Sequence, residues 1–164
     1  MNYRTPSKID AERLWEMMNR LDYETKYMLY EPGERTKNLT RIEALISNSV
    51  EGDDFLLVAE AEDQIVGYIS AQKGSLKRIA HSAYIVVGVL KDYRGQGIGT
   101  EFFKQLDAWA EEKEVTRLEL TVICENEVAK HLYEKNGFEV EGVKRKSVFV
   151  DGRYLDEYYM SKVK

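Results

Sequence analysis

Three glycines fall within the six residues Arg94-Gly95-Gln96-Gly97-Ile98-Gly99, and the stretches on either side differ in period. Before them runs an apolar, β-branched segment, Ala83 to Leu90. After them, from Thr100 to Trp109, apolar residues recur at helical spacing. A strand, a glycine turn and a helix in that order point several backbone N–H groups and the positive end of a helix dipole at one place, an arrangement suited to a pyrophosphate. Glycine serves this chemistry because a side chain would keep phosphate oxygens away from the backbone, and because such turns use positive φ. Strand-to-helix turns also use glycine for steric reasons alone. There is no Gly-x-x-x-x-Gly-Lys-Ser/Thr loop, which excludes a nucleoside triphosphatase turn. The spacing is Gly95-x-Gly97-x-Gly99, not Gly-x-Gly-x-x-Gly, and it lies beyond the middle of the chain. A dinucleotide fold would place it in the opening βαβ unit.

The second group of chemical residues is Asn126-Glu127-Val128-Ala129-Lys130-His131-Leu132-Tyr133-Glu134-Lys135-Asn136-Gly137-Phe138. Arg94, Gly97 and Gly99, followed a helix and a strand later by Asn126, Ala129, Leu132, Tyr133, Gly137 and Phe138, resemble the two motifs of the GNAT superfamily of acetyl-CoA-dependent N-acetyltransferases. The motifs cover about residues 83–140, and the order of elements elsewhere agrees. The resemblance implies acetyl-CoA as co-substrate and no metal. Its pyrophosphate would lie against Arg94 and the amides of Gly95, Gln96, Gly97, Ile98, Gly99 and Thr100. Its pantetheine arm would pair with the backbone of Val87, Gly88 and Val89, where Gly88 tolerates a bulge or close backbone approach. A backbone N–H near Val87 would polarise the thioester carbonyl. Asn126 would meet the pantetheine amides or cap the following helix, and both roles are compatible. Tyr133 would be the general acid for the departing thiolate, against the alternative of a packing aromatic.

The base is less legible. An alkyl ammonium must lose a proton before it attacks, its unperturbed pKa lying near 10. Some family members carry a glutamate five residues before the motif asparagine; here that position is Thr121. Glu24, Glu31, His81 and a water chain remain as candidates. Lys130 and Lys135 are candidates for the CoA phosphates or for a solvated helix face. Cys124 lies two residues before Asn126, but a lone cysteine is more often a small packing residue than an acyl carrier, so direct transfer is expected.

These residues need a scaffold. Ser7 reads as the cap of a helix to about Leu21, and a second helix spans about Leu39 to Ser47. A turn is expected at Leu29 to Glu34, around Pro32-Gly33. Phe55 to Glu60 and Ile65 to Ser70 read as a hairpin joined through Glu62-Asp63, and the strand from about Ala80 to Val89 continues the meander. Leu118, Leu120 and Val122 alternate with polar neighbours as in a half-buried strand. A short helix from about Glu127 to Asn136 and a hairpin turning at Asp151-Gly152 complete the chain. The expected fold is α/β: the GNAT fold, a mixed, mostly antiparallel sheet splayed near strand 4 with flanking helices, over one domain at 1–164.

The chain has 164 residues, a net charge of −5 with basic and acidic residues interspersed, and one cysteine. Scattered charge disfavours general nucleic-acid binding, and a single cysteine permits no intrachain disulfide. No apolar run reaches membrane-spanning length, and the first residues lack a signal-peptide core. A cytoplasmic enzyme with an amine substrate, and neither nucleic-acid nor membrane partners, is the expectation. The apolar residues Val148, Phe149, Val150, Tyr154, Tyr158 and Tyr159 suggest a homodimer through the terminal hairpin. The ending resembles ribosomal-protein N-terminal, polyamine and amino-acid acetyltransferases without choosing among them. A non-catalytic acyl-CoA-binding regulatory module is the alternative on the same fold.

Overall fold

The computed structural model describes residues 1–164. Its strands are β1 (Asn2–Arg4), β2 (Phe55–Ala61), β3 (Gln64–Lys73), β4 (Ser82–Val89), β5 (Arg117–Ile123), β6 (Glu139–Val150) and β7 (Arg153–Val163). The helices are α1 (Ala11–Glu24), α2 (Leu39–Val50), α3 (Ile98–Glu112) and α4 (Glu127–Lys135). All seven strands join one sheet in the order β1-β2-β3-β4-β5-β7-β6. Only β4 and β5 run parallel, because α3 carries the chain across between them.

β1 has no counterpart in the sequence reading, since three residues carry no period. It pairs with β2 and is held by Arg4, which donates to Asp10 at 2.7 Å and to Glu60 at 2.8 Å. Ser7 does not begin α1 directly. It heads a 3-10 turn, Lys8–Asp10, in which its N–H donates to the Asp10 carboxylate at 2.8 Å, and α1 starts at Ala11. α2 is capped by Asn38, whose Oδ1 accepts from Arg41 N–H, and runs to Val50. The two hairpin turns lie where their residue types predict. Glu62 and Asp63 adopt φ of 51° and 62°, and Asp151-Gly152 adopts 50° and 77°, as tight hairpin turns require.

Two layers of helix cover the sheet. A Cβ on Gly88 of β4 would meet Leu21 of α1, and one on Gly67 of β3 would meet Phe102 of α3. Gly88 lies opposite Tyr68, next in sequence to Gly67, so these two glycines point to opposite faces. The core accordingly has Leu14, Met18, Leu21 and Ile46 on one side and Phe102, Phe103 and Leu106 on the other, all nearly fully buried.

The sheet opens between β4 and β5. Their pairing spans only Ser82↔Arg117 to Tyr84↔Glu119. Beyond that level β4 stays with β3 as far as Gly67↔Val89, and Leu90 N–H still donates to Val66 C=O. β5 stays with β7, and Cys124 N–H donates to Asp156 C=O. Each strand is thus fixed to its outer neighbour, leaving a wedge-shaped gap over Ile85–Val89.

Candidate active site

Backbone direction in β4 follows from two hydrogen bonds. Ser82 C=O accepts from Gly74 N–H, and Leu90 N–H donates to Val66, so even-numbered residues bond toward β3. The alternation of an antiparallel pair then turns Val87 and Val89 toward the gap. Val87 N–H is free to bond a ligand lying there. Gly88 bonds toward β3 in regular register, so it forms no bulge. Its missing side chain instead admits Leu21, whose Cδ2 lies 2.4 Å from where a Cβ would be.

At the upper end of the gap, the N–H groups of residues 95 to 100 have no acceptor within the protein; the first bond of α3 is Glu101 N–H to Gly97 C=O. Gly95 and Gly97 adopt φ of +73° and +83°, and their Cβ positions face open space. They are glycines for conformation, and the turn they shape turns its donors outward. Gly99 differs: a Cβ there would lie 2.8 Å from Leu132 Cδ2, so it sets how closely α3 meets α4. Arg94 reaches back to Val89 C=O through Nε at 3.1 Å, linking turn to strand, while Gln96 bonds Asp92 C=O. Exposed Thr100 closes the first turn.

α4 starts at the end of β5 because Asn126 caps it, Oδ1 accepting from Ala129 N–H at 3.3 Å. That leaves the side-chain NH2 without a protein acceptor. Tyr133 is buried among Phe103 and Phe138, with ring centroids 5.7 and 6.2 Å away. Its hydroxyl makes no hydrogen bond within the protein, yet it is not sealed, since Trp109 Nε1 is the one buried side-chain polar atom without access or partner. Burial, with a smaller contribution from the phenols of Tyr84 and Tyr68, raises its pKa above the ordinary tyrosine value. The group is therefore a neutral O–H donor.

The candidate bases fare differently. Glu24 accepts from Lys91 N–H at 3.3 Å beside the glycine turn, away from the middle of β4. Glu31 is exposed in the loop between α1 and α2, and His81 precedes β4 at the closed end of the wedge. None of the three lines the cavities beside the gap. Lys130 is occupied with Glu134 at 3.4 Å and the Tyr158 ring, while Lys135 is exposed. Burial and the neighbouring Asp156 raise the Cys124 thiol pKa, which makes it a poorer nucleophile.

Sequence reasoning missed a cavity of about 270 Å³ against β3 and β4, between α1 and α2. Tyr84, at the last paired level of the wedge, forms part of its wall with Tyr68, Ser70, Arg35 and Arg41. These residues are spread over three elements and a loop, and no local pattern connects them.

A strand opened beside a strand-turn-helix of unpartnered amides forms a cleft suited to a phosphate-bearing ligand with an extended arm. The Acetyltransferase (GNAT) family matches residues 15–138. The chain belongs to the GNAT acetyltransferase family. It is an N-acetyltransferase by that membership. The Escherichia coli (strain K12) protein named L-amino acid N-acetyltransferase AaaT is 32% identical over 112 residues, 66% of this chain and 67% of the relative. The structure of a GNAT-family acetyltransferase from Streptococcus pneumoniae superposes with TM-score 0.94 at 26% identity, over 99% of each chain. A ribosomal-protein-alanine N-acetyltransferase from Brucella melitensis superposes with TM-score 0.86 at 26% identity, over the whole of both. The acceptors those names state differ, one an L-amino acid and one a ribosomal-protein alanine.

Proposed function

We propose that this GNAT enzyme binds acetyl-CoA across the wedge and transfers its acetyl group directly to a primary amine. The observation that carries the reading is the set of free N–H groups of residues 95 to 100 at the end of a strand whose Val87 N–H is also unpaired. The turn and the α3 dipole hold the pyrophosphate; Val87 and Val89 pair with the pantetheine arm, with the Asn126 side-chain amide beside it. Val87 N–H then meets the negative charge that develops on the thioester oxygen. The amine nitrogen bonds the acetyl carbon, the carbon–sulfur bond breaks, and Tyr133 passes its proton to the leaving sulfur. The proton shed by the amine leaves through water, since neither cavity wall contains Glu24, Glu31 or His81, and water returns a proton to the Tyr133 phenolate before the next turnover.

The hairpin supports self-association through β6 and β7: Phe149 and Tyr154 are each about 60% exposed with rings 5.0 Å apart. Light scattering at micromolar protein tests that pairing, and a monomer mass would remove it. The transfer reading is tested by mass spectrometry of products after incubation with acetyl-CoA and a panel of amino acids, polyamines and peptides. Acetylated amine and stoichiometric free CoA are expected. CoA binding without turnover of any amine would leave a binding module instead.

A further inference from the structure

We infer that the acceptor carries a carboxylate beside its amine, and that Arg41, in the first turn of α2, recognises it; this rests on the acetyl-transfer reading above. The cavity beside the wedge, about 270 Å³, is lined by two arginines and by no aspartate or glutamate. Arg35 is already satisfied, because Asp22 accepts from its Nε at 2.7 Å and its Nη2 at 3.1 Å, and its guanidinium stacks 4.3 Å from the Tyr30 ring. Arg41 has no acidic partner within ion-pair distance; the seventeen salt bridges all involve other residues. Arg41, itself exposed, therefore presents an unpaired positive charge at the edge of the cavity.

The wall is also built to bond a polar ligand. Ser70 and Tyr68 are only 6% and 4% exposed. Their hydroxyls have no protein partner, and neither is sealed, so both open into the cavity they line. An anion in the cavity would accept from Ser70, Tyr68 and Arg41 in place of the water that those groups otherwise meet. Trp15, Met18 and Ile42 supply an apolar side for the rest of the acceptor. A polyamine would bring cations toward Arg41. The carboxylates on the other side of Tyr84, Glu119 and Glu141, offer it little, because both accept from Arg117, at 2.8 and 2.6 Å.

The test compares the protein L-amino acids, each against its own carboxamide, together with spermidine, in acetyl-CoA turnover by wild type, Arg41→Gln and Arg41→Lys. An ion-assisted contact contributes about 1.5–3 kcal/mol, so the best amino acid should exceed its carboxamide by about 10- to 150-fold in kcat/KM. Arg41→Gln should collapse that ratio, and Arg41→Lys should restore part of it. Carboxamides or spermidine turned over as well as amino acids, or a ratio untouched in Arg41→Gln, would overturn the inference. Calorimetry on the CoA-loaded protein separates the two readings. A carboxylate preference in binding without turnover would sink the transfer reading alone, whereas no preference in either measurement sinks this one.

Discussion

The hydroxyls of Tyr84 and Thr121 meet at 2.9 Å across the point where β4 and β5 part. Tyr84 stands opposite Glu119 in the last paired level, and Thr121 lies two residues further along β5, on the same face. The bond therefore ties the wedge shut just below the gap, at the residue that also forms part of the acceptor cavity wall. Breaking it should loosen both. Tyr84→Phe and Thr121→Val, with their double variant, should show a coupling of about 0.5–1.5 kcal/mol in urea unfolding. Zero coupling would mean that each hydroxyl does as well with water.

Tyr133→Phe keeps the ring against Phe103 and Phe138 and removes only the proton donor. Turnover should fall about 10²–10⁴-fold, while the acetyl-CoA dissociation constant moves little. Because burial raises this phenol's pKa, the wild type should show no alkaline loss from Tyr133 below the ordinary tyrosine range. A limb that appears near pH 8 and persists in the variant belongs to another group. Near-wild-type turnover in Tyr133→Phe would return the residue to packing.

The glycines of the site should separate by mechanism. Gly97→Val forces a branched residue to φ +83° in open space, so acetyl-CoA binding should be lost in calorimetry with the fold largely retained. Gly88→Ala drives a methyl group into Leu21 and should cost stability by about 1–3 kcal/mol. Leu21→Ala should cost less in the Gly88→Ala background than on its own, because it relieves that clash. Unchanged CoA affinity in Gly97→Val would remove the turn from the site.

Cys124→Ala should retain most activity, and acetyl-CoA alone should leave no acetyl group on the protein. The raised thiol pKa argues for this. An adduct on Cys124 that amine then discharges would establish a two-step mechanism.

The N-terminal strand hangs on Asp10. Its carboxylate, almost wholly buried, is held at a pKa of about 2, chiefly by the hydrogen bond from Arg4 and, after the opposing effect of burial, by Ser7 N–H. A depressed carboxylate stabilises the fold above its unfolded pKa near 4, and that stabilisation disappears as pH falls from 4 toward 2. Asp10→Asn should cost about 2 kcal/mol at neutral pH and flatten that acid transition in thermal melts. An unaltered acid limb would place the transition elsewhere.

Local residue types determined much of this protein by themselves. The turns at Glu62-Asp63 and Asp151-Gly152, the glycine turn before α3 and the Asn126 cap depend on neighbours in sequence, so their chemistry is readable there. The order of strands and helices follows from apolar period for the same reason. What stood beyond reach was set by contacts between distant segments. β1 has no pattern and exists because Arg4 finds Asp10 and Glu60. Gly88 and Gly99 also make room for Leu21 and Leu132, a packing role that no local pattern announces. The acceptor cavity joins Arg35, Arg41, Ser70 and Tyr84 from separate elements, and the free charge on Arg41 is visible only once Asp22 is seen to neutralise its neighbour. Charge and side-chain compensation across a packed interior is a property of the assembled fold, because the compensating partner can come from anywhere along the chain.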